Sequence, residues 1–160
     1  MNENLDKQGQ KCVIFDFGGV ISNGLFGAIM PGIKEVIVNL SKTHLLFVVS
    51  SSYSSTIVHF LTKHGIRNCF EEVFGFDDNS NKTEKILEIL KSFQIDSSKT
   101  VMITDTTQDV ESANNAGIKV IGVLWGAHNQ KALEGAGVDL VVDSPKLLIE
   151  SVDSLTDNVK

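Results

Sequence analysis

Short, unbroken apolar runs alternate with amphipathic stretches along most of the chain. Residues 12–17 (CVIFDF) are an apolar run ending at Gly-Gly, the pattern of a buried strand and a turn. Residues 31–43 (PGIKEVIVNLSKT) repeat apolar side chains at Ile33, Val36, Ile37 and Leu40, which is helical spacing. HLLFVVSSS, at 44–52, reads as a second buried strand running into serines. Residues 54–65 read as a helix with Ser54 or Ser55 as N-cap and Gly65 as its stop, and 69–76 as a short strand. In residues 82–93, Ile86, Ile89, Leu90 and Phe93 share one helical face. TVMITD (100–105) is then a strand ending in aspartate, 106–117 a helix closed by Gly117, and KVIGVLWG (119–126) a strand. A short helix (130–137), a last strand (139–144) and a final helix from Pro145 complete the pattern. The polar residues 1–10 and about eight residues at the other end are expected to be mobile.

Strands that are continuous Val/Ile/Leu runs, alternating with helices, point to a parallel sheet covered on both faces. The expected architecture is α/β: a three-layer, Rossmann-like, mostly parallel sheet forming a single domain over 1–160, with its core at about 11–152. Ligands of such sheets bind at the carboxyl ends of the strands, where the strand order reverses.

Composition narrows the function classes. A chain of 160 residues is one domain in size, and such a domain buries roughly 70% of its unfolded surface. The net charge of −6 disfavours a nucleic-acid partner. It also means that a phosphate site needs local positive charge from a metal ion, a lysine or backbone N–H groups. Cys12 and Cys69 are far apart and each borders an apolar run, so they read as reduced core or near-core residues. No stretch approaches the ~18 apolar residues of a membrane span, and residues 1–10 lack the pattern of a signal peptide. The expected location is the cytoplasm.

Three strands end in polar residues: the first at Asp16, the second at Ser50, the fourth at Asp105. Parallel strands bring these ends to one edge of the sheet. Converging carboxylates repel, so each needs a proton, a cation or a hydrogen-bond donor. A hard divalent ion such as Mg²⁺, which takes oxygen ligands, suits the place. Asp109 follows Asp105 by about one helical turn and can add a direct or supporting contact. Lys82, at a helix start, can supply positive charge; Lys85 is the alternative and reads more as a surface residue.

In this order and spacing the motifs resemble those of the haloacid dehalogenase (HAD) superfamily over roughly residues 11–152. They are Asp16-Phe17-Gly18-Gly19-Val20 after the first strand, Ser50 at the end of the second, Lys82, and Asp105 to Asp109 followed by ANNAG. The resemblance implies a HAD-like fold and a Mg²⁺-dependent phosphohydrolase working through an aspartyl-phosphate on Asp16. It assigns Asp16, the Gly18 carbonyl, Asp105 and Asp109 to the metal. Ser50, or Ser51 one residue on, would bind the phosphoryl oxygens of a phosphorylated substrate, and Lys82 would neutralise the phosphate and orient Asp16.

Two departures bear on function. The family motif carries a second aspartate where this chain has Gly18; in family phosphatases that residue protonates the leaving oxygen, a contribution of about 10²–10⁴-fold. Its loss keeps open a second reading, a weak or inactive phosphate-sensing or protein-binding module. The family's usual cap is also missing, since only about ten residues, Ile21 to Met30, separate the first motif from the next helix. The site is therefore expected to be open, which suits a bulky substrate or closure by a neighbouring subunit in a homo-oligomer. The histidines His44, His59, His64 and His128 show no metal-ligand spacing and read as surface or half-buried, with His128 the best placed for substrate contact. Trp125 reads as core or rim packing.

Overall fold

The computed structural model describes residues 9–23, 27–77 and 80–157. Among the described residues are six strands: β1 (Lys11–Phe15), β2 (His44–Val49), β3 (Glu72–Phe74), β4 (Thr100–Thr104), β5 (Lys119–Val123) and β6 (Leu140–Val142). Six α-helices lie between and after them: α1 (Ile33–Ser41), α2 (Ser54–Lys63), α3 (Lys82–Ser92), α4 (Thr107–Asn115), α5 (Gln130–Ala136) and α6 (Leu148–Thr156). The strands form one sheet in the order β3-β2-β1-β4-β5-β6, and every pairing is parallel. The order reverses between β1 and β4, so the crevice for a ligand opens at their carboxyl ends.

The alternation of side chains along each strand feeds two cores, one on either face of the sheet. Val13 and Phe15 of β1, with Leu46 and Val48 of β2 and Val101 and Ile103 of β4, pack against Ile33, Val36, Ile37 and Leu40 of α1, Ile57 and Leu61 of α2, and Val152 of α6. Cys12, Ile14, Phe47, Val49 and Met102 pack against Ile86 and Ile89 of α3, Val110 and Ala113 of α4, and Leu133 of α5. These strands read as unbroken apolar runs because both of their faces are covered. Asp16 continues the parity of Cys12 and Ile14, toward the face carrying α3 and α4.

The connection from β1 to α1 turns at once. The Phe17 carbonyl accepts N–H groups from Val20, Ile21 and Ser22 at 3.2, 2.9 and 3.1 Å. A bridge between Ser22 and Ile29 then folds the segment back. It is too short to hold a cap domain. No helix among the described residues is long and apolar enough to cross a membrane.

Several local expectations change. The N-cap of α2 is Tyr53, without a side-chain capping bond; the Ser54 hydroxyl is engaged instead by Asp77. Pro145 opens a 3₁₀ turn, Pro145–Leu147, before α6 begins. Lys85 is buried at 4% exposure rather than lying on the surface, because it shares the inward side of α3 with Ile86 and Ile89. The end of the chain is helical through Thr156, further than expected, because Thr156 is buried against His44. Residues 1–8 and 158–160, expected to be mobile, lie outside the described residues.

His44 is the other correction, being buried rather than at the surface. Its ring nitrogens meet Thr43 Oγ1 at 2.8 Å and Thr156 Oγ1 at 3.5 Å. Burial, with Lys11 nearby, lowers its pKa below the ordinary 6.5 against the opposing pull of Asp153. The fold therefore favours the neutral ring, and the unfolded chain takes up the proton first as pH falls. This contribution to stability is complete above about pH 6.5 and declines below it. Urea unfolding between about pH 7.5 and 5.5 should show that decline in wild type and a shallower one in His44→Gln; equal slopes would show that His44 is not its source.

Candidate active site

Asp16, Ser50 and Asp105 each follow directly on the last residue of β1, β2 and β4, and they meet at the β1–β4 crevice. There they line one cleft of about 790 Å³, together with Gly18, Ser51, Lys82 and Asp109. That volume lies within the range of small-molecule sites, about 300–1,000 Å³.

The cleft floor is a chain of charge-assisted bonds. Asp16 Oδ1 accepts the Phe17 N–H at 2.8 Å and the Lys82 ammonium at 3.2 Å. Lys82 also reaches Asp109 Oδ2 at 2.8 Å, and the Thr104 hydroxyl donates to that same oxygen at 2.8 Å. Asp109 stands in the first turn of α4, capped by the Thr106 side chain, where the helix dipole favours an acid. Lys82 stands at the first position of α3 after the Asn81 cap, where the same dipole disfavours an ammonium. The two carboxylates offset that. Burial alone would lower the Lys82 pKa, but Asp16 and Asp109 outweigh it and raise it.

Asp16 is 6% exposed, Asp109 4% and Asp105 3%. Burial pushes the Asp16 carboxyl up to about 8; Lys82 and the Phe17 N–H oppose the rise, while Asp109 and Asp105 add to it. Among the described residues lining the cleft, three buried carboxyl groups thus face a single ammonium, and the cleft is short of positive charge.

Asp105 carries the clearest sign of what would supply it. Its Oδ2 accepts the Ala127 N–H at 2.8 Å, while its Oδ1 is buried with no hydrogen-bond partner. Such an atom is costly unless something binds it. A β-carbon on Gly19 or Gly126 would collide with the Asp105 carboxylate, so two backbone segments close on it only because both are glycine. Among the described residues, no three Asp, Glu, His or Cys side chains gather into a metal cage. Mg²⁺ does not require one: it is commonly held by one or two carboxylates, with other oxygens completing its shell. Asp16, Asp105 and the Gly18 backbone fit that demand.

Other expected site residues are sorted by the same geometry. Ser50 is buried at 2% exposure and its Oγ accepts the Ser52 N–H at 3.1 Å, whereas Ser51 is exposed; both line the cleft. Asp109 has one oxygen committed to Lys82 and Thr104. His128 does not line the cleft; its Nδ1 accepts the Thr107 N–H at 2.9 Å at the start of α4. Trp125 lines the rim and donates from Nε1 to the Val20 carbonyl at 3.1 Å, bracing the turn after Asp16. Sequence reasoning missed Thr104 and Gly126. Thr104 is a polar residue inside an apolar strand, which was the available signal.

A family model described as haloacid dehalogenase-like hydrolase matches residues 27–123. The match begins beyond β1, so Asp16 and Gly18 lie before it. The phosphoglycolate phosphatase of Synechococcus elongatus is 25% identical over 128 residues, covering 79% of this chain and 60% of the relative. That of Vibrio parahaemolyticus is 25% identical over 156 residues, covering 95% and 68%. A probable phosphatase of Dickeya dadantii is 30% identical over 122 residues, covering 74% and 53%. The chain therefore spans little more than half to two thirds of the length of these relatives. Among solved structures, "a predicted phosphatase from Clostridium acetobutylicum" superposes with a TM-score of 0.84 at 18% identity, over 91% of this chain and 99% of that one. A haloacid dehalogenase-like hydrolase from Streptococcus pneumoniae gives 0.79 at 14% identity, over 89% and 98%. At those identities the likeness speaks for the fold.

Neighbouring glycines should separate in their tolerance. Around Gly18 a β-carbon meets nothing within 4 Å, so Gly18→Ala should leave stability within about 0.5 kcal/mol. Gly126→Ala should cost about 1–3 kcal/mol through overpacking against Asp105. Thermal or urea unfolding of the two variants measures the difference, and equal losses would refute the close packing around Asp105.

Proposed function

The chain belongs to the haloacid dehalogenase-like hydrolases, and on that premise we propose that it is a Mg²⁺-dependent phosphohydrolase with Asp16 as its nucleophile. The observation that carries this reading is the buried Asp16–Lys82–Asp109 arrangement beside an Asp105 oxygen that has no partner. The names of the relatives, phosphoglycolate phosphatase among them, support a phosphate monoester as the substrate class. Bound Mg²⁺, with Asp16, Asp105 and the Gly18 carbonyl as its protein ligands, would neutralise charge on the transferring phosphoryl group.

The chain's own residues account for the rest. Among the described residues, the Phe17 N–H and Lys82 both bind Asp16 Oδ1, which orients the carboxylate and leaves Oδ2 to attack phosphorus in line. Lys82 balances charge on the phosphoryl oxygens and orients Asp16. Asp109 and Thr104 hold Lys82 in place, a role for Asp109 in preference to metal ligation. The Ser50 hydroxyl, with Ser51 beside it, donates to a phosphoryl oxygen. Water then cleaves the aspartyl-phosphate and returns Asp16. A cytoplasmic location accompanies this reading, and the unpaired Cys12 and Cys69 are in keeping with it.

Gly18 favours a second reading, a phosphate-sensing or protein-binding module, since a glycine brings no proton donor to the cleft. Hydrolysis of 4-nitrophenyl phosphate separates the two. Turnover should require Mg²⁺, disappear with a chelator, and fall to background in Asp16→Asn. Lys82→Met should lower kcat by about 10²–10³-fold, as the loss of one preorganised charge-stabilising donor does. Purified wild type without turnover at saturating Mg²⁺ would refute the enzyme and leave the module.

A further inference from the structure

Every titratable side chain lining the cleft, among the described residues, is already committed. Asp16 and Asp109 hold Lys82, and Lys82 holds both. Asp105 is anchored by the Ala127 N–H, and its other oxygen is buried without a hydrogen-bond partner. The remaining lining residues are glycines, an alanine, hydroxyls, amides and the Trp125 indole. None is an acid that could hand a proton to a departing oxygen near neutral pH. Gly18, exposed at the cleft, leaves open space where a side chain could stand. With the described residues alone, the first chemical step therefore expels its leaving group as an anion. Only a leaving oxygen of low basicity tolerates that.

A second observation, independent of the first, concerns the residues that follow the serine loop. The loop that supplies Ser50, Ser51 and Ser52 to the cleft continues into Tyr53, which is 62% exposed. Phe76, 51% exposed, stands against it edge to face with ring centroids 6.3 Å apart. The pair is built rather than incidental. The Phe76 N–H donates to the Ser52 carbonyl at 2.8 Å, and Gly75 lies so close to the backbone of Ser52 and Ser54 that any side chain there would clash. Two large aromatic faces are thus tethered to the serine loop and left to solvent. An exposed aromatic pair of this kind favours a flat ring as its partner.

We propose that the cleft takes aryl phosphate monoesters, with the phosphoryl group at Asp16 and the aryl ring against Tyr53 and Phe76. The proposal rests on the phosphohydrolase reading and names its substrate class. In the first step Asp16 Oδ2 forms a bond to phosphorus while the aryl O–P bond breaks, and the electron pair leaves with the phenolate. The phenolate takes a proton from solvent according to its own basicity. In the second step a water oxygen bonds phosphorus, the Asp16–phosphorus bond breaks, and the water proton passes to the released phosphate or to solvent. The aryl class differs from the alkyl ester named in the phosphoglycolate phosphatases to which the chain is similar.

The test is kcat/KM, which reports the first step only, with Mg²⁺ present. Substrates are a series of substituted phenyl phosphates, the alkyl esters 2-phosphoglycolate and glycerol phosphate, and acetyl phosphate as a good leaving group without a ring. Wild type should fall steeply with leaving-group basicity, the alkyl esters lying at least ~100-fold below 4-nitrophenyl phosphate. Gly18→Asp should raise alkyl turnover by about 10²–10⁴-fold, the usual worth of a positioned acid. The double variant Tyr53→Ala/Phe76→Ala should raise KM about 3- to 10-fold for phenyl phosphates and leave acetyl phosphate unchanged. Asp16-dependent turnover that is equally fast on alkyl and aryl esters overturns this inference and spares the phosphohydrolase. A double variant with unaltered KM for phenyl phosphates overturns the role of the aromatic pair. Wild type inactive on every substrate overturns both readings.

Discussion

The rest of the site depends on one ammonium, that of Lys82, set between two buried carboxylates. Asp16 and Asp109 are each buried by the elements that carry them, and burial pushes the Asp16 carboxyl up even with Lys82 beside it. Lys82 touches both, at 3.2 and 2.8 Å. Buried ion pairs seldom add stability over an apolar alternative, and losing one partner strands the other charge. The arrangement is better understood as preorganisation. It holds the Asp16 carboxylate in one orientation and keeps a cation next to the place where phosphate charge would arrive.

The fold makes this possible by direction. Because all six strands run the same way, polar residues that follow apolar runs emerge on one edge, and the β1–β4 order reversal leaves room for a ligand between them. Parity does the next part. Asp16 leans toward the face covered by α3 and α4, so residues in the first turns of those helices, Lys82 and Asp109, come into contact with it or with each other. Thr104 then ties α4 to the end of β4. Glycines at 19 and 126 let the flanking loops approach Asp105 more closely than any side chain would allow, and one of its oxygens is buried without a hydrogen-bond partner.

The same loops shape what can enter. The segment between β1 and α1 is too short to form a cover, so the cleft is bordered by the turn braced by Trp125 and by the serine loop, to which the aromatic pair is tethered. An open mouth keeps water near the chemistry, which weakens every electrostatic contribution relative to a closed site. A site of this kind gains most from substrates that are intrinsically reactive at the leaving oxygen. The absent acid at Gly18 and the exposed rings of Tyr53 and Phe76 point in one direction on that account.

Much of this was legible in the chain. Unbroken runs such as CVIFDF and HLLFVV predict buried parallel strands, and the helical spacing of Ile33, Val36, Ile37 and Leu40 matches the buried face of α1. Asp16, Ser50 and Asp105 were legible as a group, because strand ends in a parallel sheet converge whatever the details of packing. Lys82 was singled out from its helix-start position and its place in the motif order, and its partners were not. Its contact with Asp16 spans 66 residues of sequence, and no periodicity encodes a distance of that kind. The burial of His44 and Lys85, the unpartnered oxygen of Asp105 and the pairing of Tyr53 with Phe76 were equally hidden. Each depends on which helix lies over which strand and how closely two loops approach. Local pattern sets which residues form an element and which side is apolar; only the packed sheet, with its order and its glycine contacts, decides which polar atoms are left facing one another.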